Sequence, residues 1–208
     1  DDTRRAEDLL TPAAAELAFG FDGHEPFVLL LADGRTLRFR GRIDRVDRAV
    51  GGGLVVTDYK TGKRWPYAKV SEDSPDVHGQ YLQLPLYGLA AREALGGADV
   101  EVEARFWFLT DGGGIVGHPL SRAVLDRFDH VMTTIVDGIE SGLFPARPPA
   151  RRGLGCDYCD PDDLGTRTLE ERWDRIRHDD RLDAYRHLIG ELDDDGPIAV
   201  IELGGDDG

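Results

Sequence analysis

Cysteine is almost missing from this chain: Cys156 and Cys159 are the only two among 208 residues. One close pair builds no disulfide framework, and the default for such a chain is a cytoplasmic location. Long apolar runs are missing as well. The longest, residues 27–32, is far short of the ~20 residues that span a bilayer, so no membrane partner is expected. No apolar stretch follows the opening Asp1-Asp2-Thr3-Arg4-Arg5, so no secretory leader is expected there. An initiator Met is lacking too, and we expect a piece of a longer polypeptide. Positive charge is scarce: 25 Lys and Arg against 40 Asp and Glu leave a net −15. Taken whole, that balance argues against a nucleic-acid partner.

The distribution of charge reverses that conclusion. Residues 157–208 carry 17 acidic and 6 basic side chains, a net −11, so most of the excess sits in the last quarter. Arg35, Arg38, Arg40, Arg42, Arg45 and Arg48 cluster in a short stretch. Arg38, Arg40 and Arg42 share one parity with Asp44, while Leu37, Phe39 and Ile43 take the other. On one continuous strand this would be a row of arginines leading to a carboxylate, a surface suited to tracking phosphates. A merely solubilising strand face reads the same way.

What is present fits one ordinary globular domain and an appendage. The first 14 residues read as a helix end or a disordered lead-in. Residues 16–21 and 26–31 are short strand candidates, and Asp33-Gly34 is a hairpin turn signal. Residues 27–31, 37–46 and 54–59 then form an antiparallel meander. Residues 63–77, with Pro66 and Pro75, read as a loop. A helix follows over 78–95, kinked at Pro85 or beginning close to it, and Gly96-Gly97 ends it. Alternation predicts a strand over 100–109 and a short return over 115–119. A second helix over 121–142 carries Val124, Phe128, Val131, Ile135 and Ile139 at helical spacing. A charged helical region over 169–192 and a small strand or tail over 198–203 complete the reading. Strands, helix, strand, helix is the order of a mixed central β-sheet flanked by helices, in the α/β class, here with a helical, acidic C-terminal extension. We place the domain boundary between 155 and 156.

The chemistry concentrates in Gly41–Lys63, two strands around Gly51-Gly52-Gly53. Alternation puts Asp58 and Lys60 on one face and Tyr59 on the other. Pairing through the glycine turn brings Asp44 near Asp58. Two carboxylates and an ammonium suit a hard cation such as Mg²⁺ or Mn²⁺ beside a phosphate. Asp-x-Lys at a strand end also fits a solvated ion pair worth little. Gln83 and Tyr87, four apart, share a helix face among leucines. A Gln among apolar neighbours needs a partner for its amide.

The run GRIDRVD at 41–47, then DYKTGK at 58–63, then QLPLY at 83–87 resembles the RecB-type nuclease domain of the PD-(D/E)XK superfamily. The resemblance covers roughly residues 16–160 and implies a restriction-endonuclease-like fold. It implies that Asp44 and Asp58 bind the divalent metal, that Tyr59 adds its backbone carbonyl and that Lys60 is catalytic. It implies that Gln83 and Tyr87 stand beside the active site and organise it and the DNA strand. The implied activity is Mg²⁺-dependent DNA cleavage, exonuclease in type, in a DNA repair and recombination protein. The implied partners are DNA and a helicase domain or subunit, as in complexes of the AddAB and AdnAB type.

Two departures from the family pattern stand out. The Gly-x-x-x-His segment that supplies a further metal ligand is not found: His24 lies in a turn-like stretch, and Glu16 reads as a strand residue outside the site. Second, relatives that hold an iron–sulfur cluster use four cysteines. Cys156 and Cys159 match the C-x-x-C, but Gly165 stands where the next Cys is expected, so no four-thiolate cluster is expected. A zinc site that adds histidines such as His178 is the alternative to a vestigial loop. The competing functional readings are a catalytically weak or inactive RecB-like module for DNA binding or scaffolding, and a hydrolase of small phosphorylated molecules.

Overall fold

The computed structural model describes residues 9–110, 113–147 and 165–191. The chain forms two compact units, Asp1–Thr133 and Thr134–Gly208. The boundary expected at 155/156, the Cys-x-x-Cys loop and the 198–203 segment lie outside the described residues.

The first unit is built on a five-stranded mixed sheet, which is the α/β architecture expected. Its strands are β1 (Thr11–Phe19), β4 (Gly41–Arg48), β5 (Leu54–Lys60), β6 (Val102–Phe108) and β7 (Gly114–Pro119), adjacent in that order. Between β1 and β4 in sequence, β2 (Phe27–Leu30) and β3 (Thr36–Phe39) form a separate hairpin. β4 and β5 pair antiparallel, with Val46 opposite Val56 and Arg45 opposite Thr57. β5 and β6 pair parallel. A parallel pair needs a crossover, and α1 (Gln83–Leu95) supplies it. α1 covers the sheet face that presents Val46, Leu54, Val56, Val102, Ala104, Phe106 and Phe108, and it buries Leu84, Ala90 and Ala91 against them. α2 (Arg122–Glu140) follows β7 and buries Val124, Phe128 and Val131.

The second unit holds α3 (Gly165–Ile176), a 3₁₀ turn (Asp180–Leu182) and α4 (Asp183–Leu188). Trp173 meets Tyr185 edge-on at 6.1 Å and packs with buried Leu182 and Ile189. The helical region expected over 169–192 is thus two helices and a turn. Asp179 breaks it, accepting from the Arg181 amide in extended geometry.

Two expectations are corrected, and one open alternative is resolved. Residues 37–46 are not one strand: β3 ends at Phe39 and β4 starts at Gly41, in different sheets. The cause is local. A Cβ at Gly41 would stand 2.6 Å from the Phe19 ring, so the glycine is what lets Phe19 cross over β4. Residues 11–14 are strand, not helix end or lead-in. Alanine favours helix weakly, but the open edge of β4 takes Ala14 opposite Val46 and Ala15 opposite Arg45. Of the two alternatives for the next helix, kinked at Pro85 or beginning close to it, the structure has the second: α1 starts at Gln83, because Val77, His78 and Gly79 all have positive φ (44°, 58° and 79°).

Candidate active site

Everything in the site hangs on the β4–β5 hairpin and the start of α1. Continuing the register past Arg45 and Thr57 sets Asp44 opposite Asp58 on the face of Val46 and Val56. The Tyr59 amide donates to Asp44 Oδ2 at 2.8 Å, which fixes that carboxylate across the hairpin. Asp58 is buried at 4% exposure. Gln83 Nε2 donates to Asp58 Oδ1 at 2.7 Å, and Lys60 Nζ donates to Gln83 Oε1 at 2.9 Å. Lys60 Nζ also lies 2.6 Å from Asp58 Oδ2, an ion pair. Its alignment is poor, and this buried oxygen lacks a directed hydrogen-bond partner. The ammonium stands 4.9 Å over the Phe106 ring, so its near wall is apolar.

The electrostatics follow from this packing. Burial pushes the Asp58 carboxyl above the usual carboxylate range, against the pull of Lys60 and Gln83, and the nearby Asp44 charge pushes the same way. A carboxylate held under such cost is characteristic of functional positions.

The donor set fits a divalent cation. Asp58 Oδ2 is a hard oxygen engaged only by the Lys60 ion pair, and Asp44 gives Oδ2 to the Tyr59 amide. Mg²⁺ takes one or two protein carboxylates and keeps waters and substrate oxygens for the rest. Among the described residues no group of three His, Cys, Asp or Glu could hold a metal. Glu16 lies opposite the Arg42 guanidinium at 3.8 Å, and His24 sits exposed in a turn.

Other expected residues are dispersed. Tyr59 turns its ring to the reverse face, where its hydroxyl accepts from Arg45 Nη1 at 3.4 Å and its ring meets Trp107 at 5.8 Å. Tyr87, one turn beyond Gln83, packs edge-on against Phe19 at 6.1 Å. The arginine row is corrected, because the strand that would carry it does not exist. Arg38 is on β3, Arg40 lies between strands with its guanidinium over Phe21, and Arg42 is bound to Asp22 at 2.7 Å. His178 is exposed.

Sequence reasoning missed the support for Gln83. Asp76, buried at 2% exposure, accepts from the Gly79 amide at 2.7 Å and from Arg127 Nε and Nη2 at 2.8 and 3.0 Å. Its carbonyl accepts from the Tyr81 amide, so Asp76 holds the positive-φ turn that delivers the chain to α1. The only signal was Pro75-Asp76 with Gly79 ahead of an apolar helix. Its partner, Arg127, lies 51 residues away on α2. Also missed was the polar reverse face, where Arg45 forks onto buried Asp47 at 2.8 and 3.1 Å.

Comparisons with known proteins place the sequence in a family. The family model of the PD-(D/E)XK nuclease superfamily matches residues 1–164. An ATP-dependent helicase/deoxyribonuclease subunit of Desulforamulus reducens is 41% identical over 80 residues, 36% of this chain and 6% of that protein. The protein of the same name from Pelotomaculum thermopropionicum is 38% identical over 112 residues, 51% of this chain and 8% of that protein. The chain therefore spans under a tenth of the length of these curated relatives. The sheet order, the Asp44/Asp58/Lys60 cluster on a β-hairpin and a family match over most of the chain converge: this chain belongs to the PD-(D/E)XK nuclease superfamily.

Proposed function

We propose that this chain cleaves DNA by divalent-metal-dependent phosphodiester hydrolysis, as the nuclease part of a larger helicase–nuclease. The observation that carries the reading is the chain of contacts Asp58–Gln83–Lys60, with Asp44 opposite Asp58 across the hairpin. Asp44 and Asp58 would hold Mg²⁺ or Mn²⁺, with Tyr59 offering its carbonyl. When bound, the ion supplies charge to offset the phosphate and lowers the pKa of water. The side chains do the rest. Gln83 fixes the direction of the Lys60 ammonium and occupies Oδ1 of Asp58, which leaves the buried Oδ2 to Lys60 and to a cation. Lys60 orients the attacking water and offsets the negative charge that grows on the phosphate oxygens in the transition state. Tyr87 steadies α1 through Phe19.

The relatives' names support a helicase partner and DNA as substrate, and exonuclease action fits work at a DNA end. We assign the nuclease core to 1–155, an acidic extension to 156–208, and a cytoplasmic setting to the whole. The test is cleavage of labelled single- and double-stranded DNA with Mg²⁺, Mn²⁺ or EDTA. Lys60→Ala should lower the rate about 10²–10³-fold. Metal-independent cleavage, or cleavage that Lys60→Ala leaves intact, would remove the reading. A second reading, a weak or inactive module for binding or scaffolding, is favoured by the lack of a third metal-ligand side chain among the described residues. Binding without cleavage at any metal concentration would select it.

A further inference from the structure

In a chain of net −15, the stretch between Asp58 and Glu72 stands apart: it holds Lys60, Lys63, Arg64 and Lys69 and no acidic residue. At its centre is Trp65, 44% exposed, a large apolar ring left facing water. Lys63, Arg64 and Lys69 are exposed around it. None of the three has an ion-pair partner among the described residues.

The turn that carries this ring is anchored. Trp65 opens the 3₁₀ turn Trp65–Tyr67, with Pro66 restricting the backbone. The Tyr81 hydroxyl donates to the Pro66 carbonyl at 2.9 Å. Tyr67 drives the other end of the turn into the core, 4.7 Å from the Tyr81 ring, 4.9 Å from Phe106 and 5.2 Å from Phe108. Phe106 is the ring over which Lys60 Nζ sits, so the platform and the site share one wall. Trp65 follows Lys60 by five residues, at most about 18 Å of chain. That is about five nucleotides at a stacked rise of about 3.4 Å.

An aromatic face on an anchored turn, among cations that have no ion-pair partner among the described residues, is the recipe for holding an unstacked base. The ring stacks on any base, and the cations hold the phosphates on either side. We propose that Trp65 is a stacking station for a base of single-stranded DNA, with Lys63, Arg64 and Lys69 holding the flanking phosphates. The inference rests on the nuclease reading and names the strand form that the site takes. A duplex offers no open base face to this ring.

The experiment measures binding, not cleavage, so loss of activity cannot imitate its outcome. The full chain, in EDTA, is titrated into a labelled 12-nucleotide oligothymidylate and into an abasic strand of the same length. Trp65→Ala should weaken oligothymidylate binding about 5- to 100-fold, and Trp65→Phe should recover most of it. The wild type should bind the abasic strand about as weakly as Trp65→Ala does, and Trp65→Ala should not weaken it further. Replacing Lys63 and Arg64 by Ala should instead weaken both strands and flatten the salt dependence by about 0.7 per charge. The proposal falls if Trp65→Ala binds oligothymidylate like the wild type. It falls equally if Trp65→Ala loses both strands to the same degree, or if the wild type binds neither.

Discussion

Asp58 is the side chain on which the centre turns, because it is held in a costly state. It is buried, next to Asp44, and one oxygen lacks a directed partner. A bound cation would relieve that state, so folding and metal binding should be linked. At a tenfold excess over Kd, linkage gives about 1.4 kcal/mol, or about 3–5 °C in Tm for a chain of this size. Mg²⁺ or Mn²⁺ should raise the wild-type melting temperature by that much in calorimetry, and Asp58→Ala should lose most of the rise. An equal rise in both proteins would remove Asp58 from the metal site. Much at this scale was legible in the sequence. Strand parity alone put Asp58 and Lys60 on one face, and the pairing of Asp44 with Asp58 follows from a short turn. Gln83 was readable as a Gln in need of a partner. Its partners were not, since nothing local says that both Asp58 and Lys60 lie within reach of its amide.

At the scale of elements, the turn before α1 and the strand β7 each carry a prediction. The turn keeps Val77, His78 and Gly79 in left-handed geometry, which a β-branched residue adopts only under constraint. The constraint is Asp76 and its fork with Arg127. Arg127→Ala should destabilise by about 2–4 kcal/mol, below the full figure for a buried pair because a third of Arg127 reaches water. Arg127→Lys should recover only part, since an ammonium cannot fork. Chemical denaturation checks both. Burial raises the Asp76 carboxyl, but Arg127 and the Gly79 amide outweigh it and hold it below the usual range. Its stabilisation is therefore present above a pH of about 4 and lost as pH falls through its folded value.

On β7, His118 is buried with Nε2 unpartnered, and burial lowers its pKa. The unfolded chain takes up that proton first. Stability should drop as pH falls below about 6.5, by up to about 1.4 kcal/mol per pH unit. His118→Leu should flatten the drop in denaturant melts between pH 7 and 5; an unchanged slope would assign it to other groups. Element boundaries were the least readable part of the sequence. The first half of β1 reads as a helix end or a disordered lead-in because its alanines are weighed locally, yet pairing with β4 makes it strand. The arginine row failed because Phe19 and Gly41 break the strand at a contact between residues far apart in sequence.

For the whole molecule, charge sets up two opposed fields. The chain as a whole repels DNA, and most of that repulsion comes from residues 157–208. The four cations between Asp58 and Glu72 attract it. Four phosphate contacts to a single strand would give a log–log salt slope of about −2.8. Salt also screens the global repulsion, so the measured slope should be shallower than −2.8 while affinity still falls as salt rises. Fluorescence anisotropy from 50 to 300 mM salt reads this, and affinity that rises with salt would mean that the global field dominates.

The parallel pairing of β5 with β6 has a practical corollary for splitting the chain. A cut in the segment after Leu95 leaves Asp44, Asp58, Lys60 and Gln83 on one fragment, and β6 and β7 on the other. The first fragment would hold every polar group of the site but not the Phe106 floor under Lys60, and its β5 edge would lie open. Neither fragment should work alone. Mixed, they would regain function only by re-forming the parallel pair, which makes this chain a natural candidate for a two-piece complementation reporter.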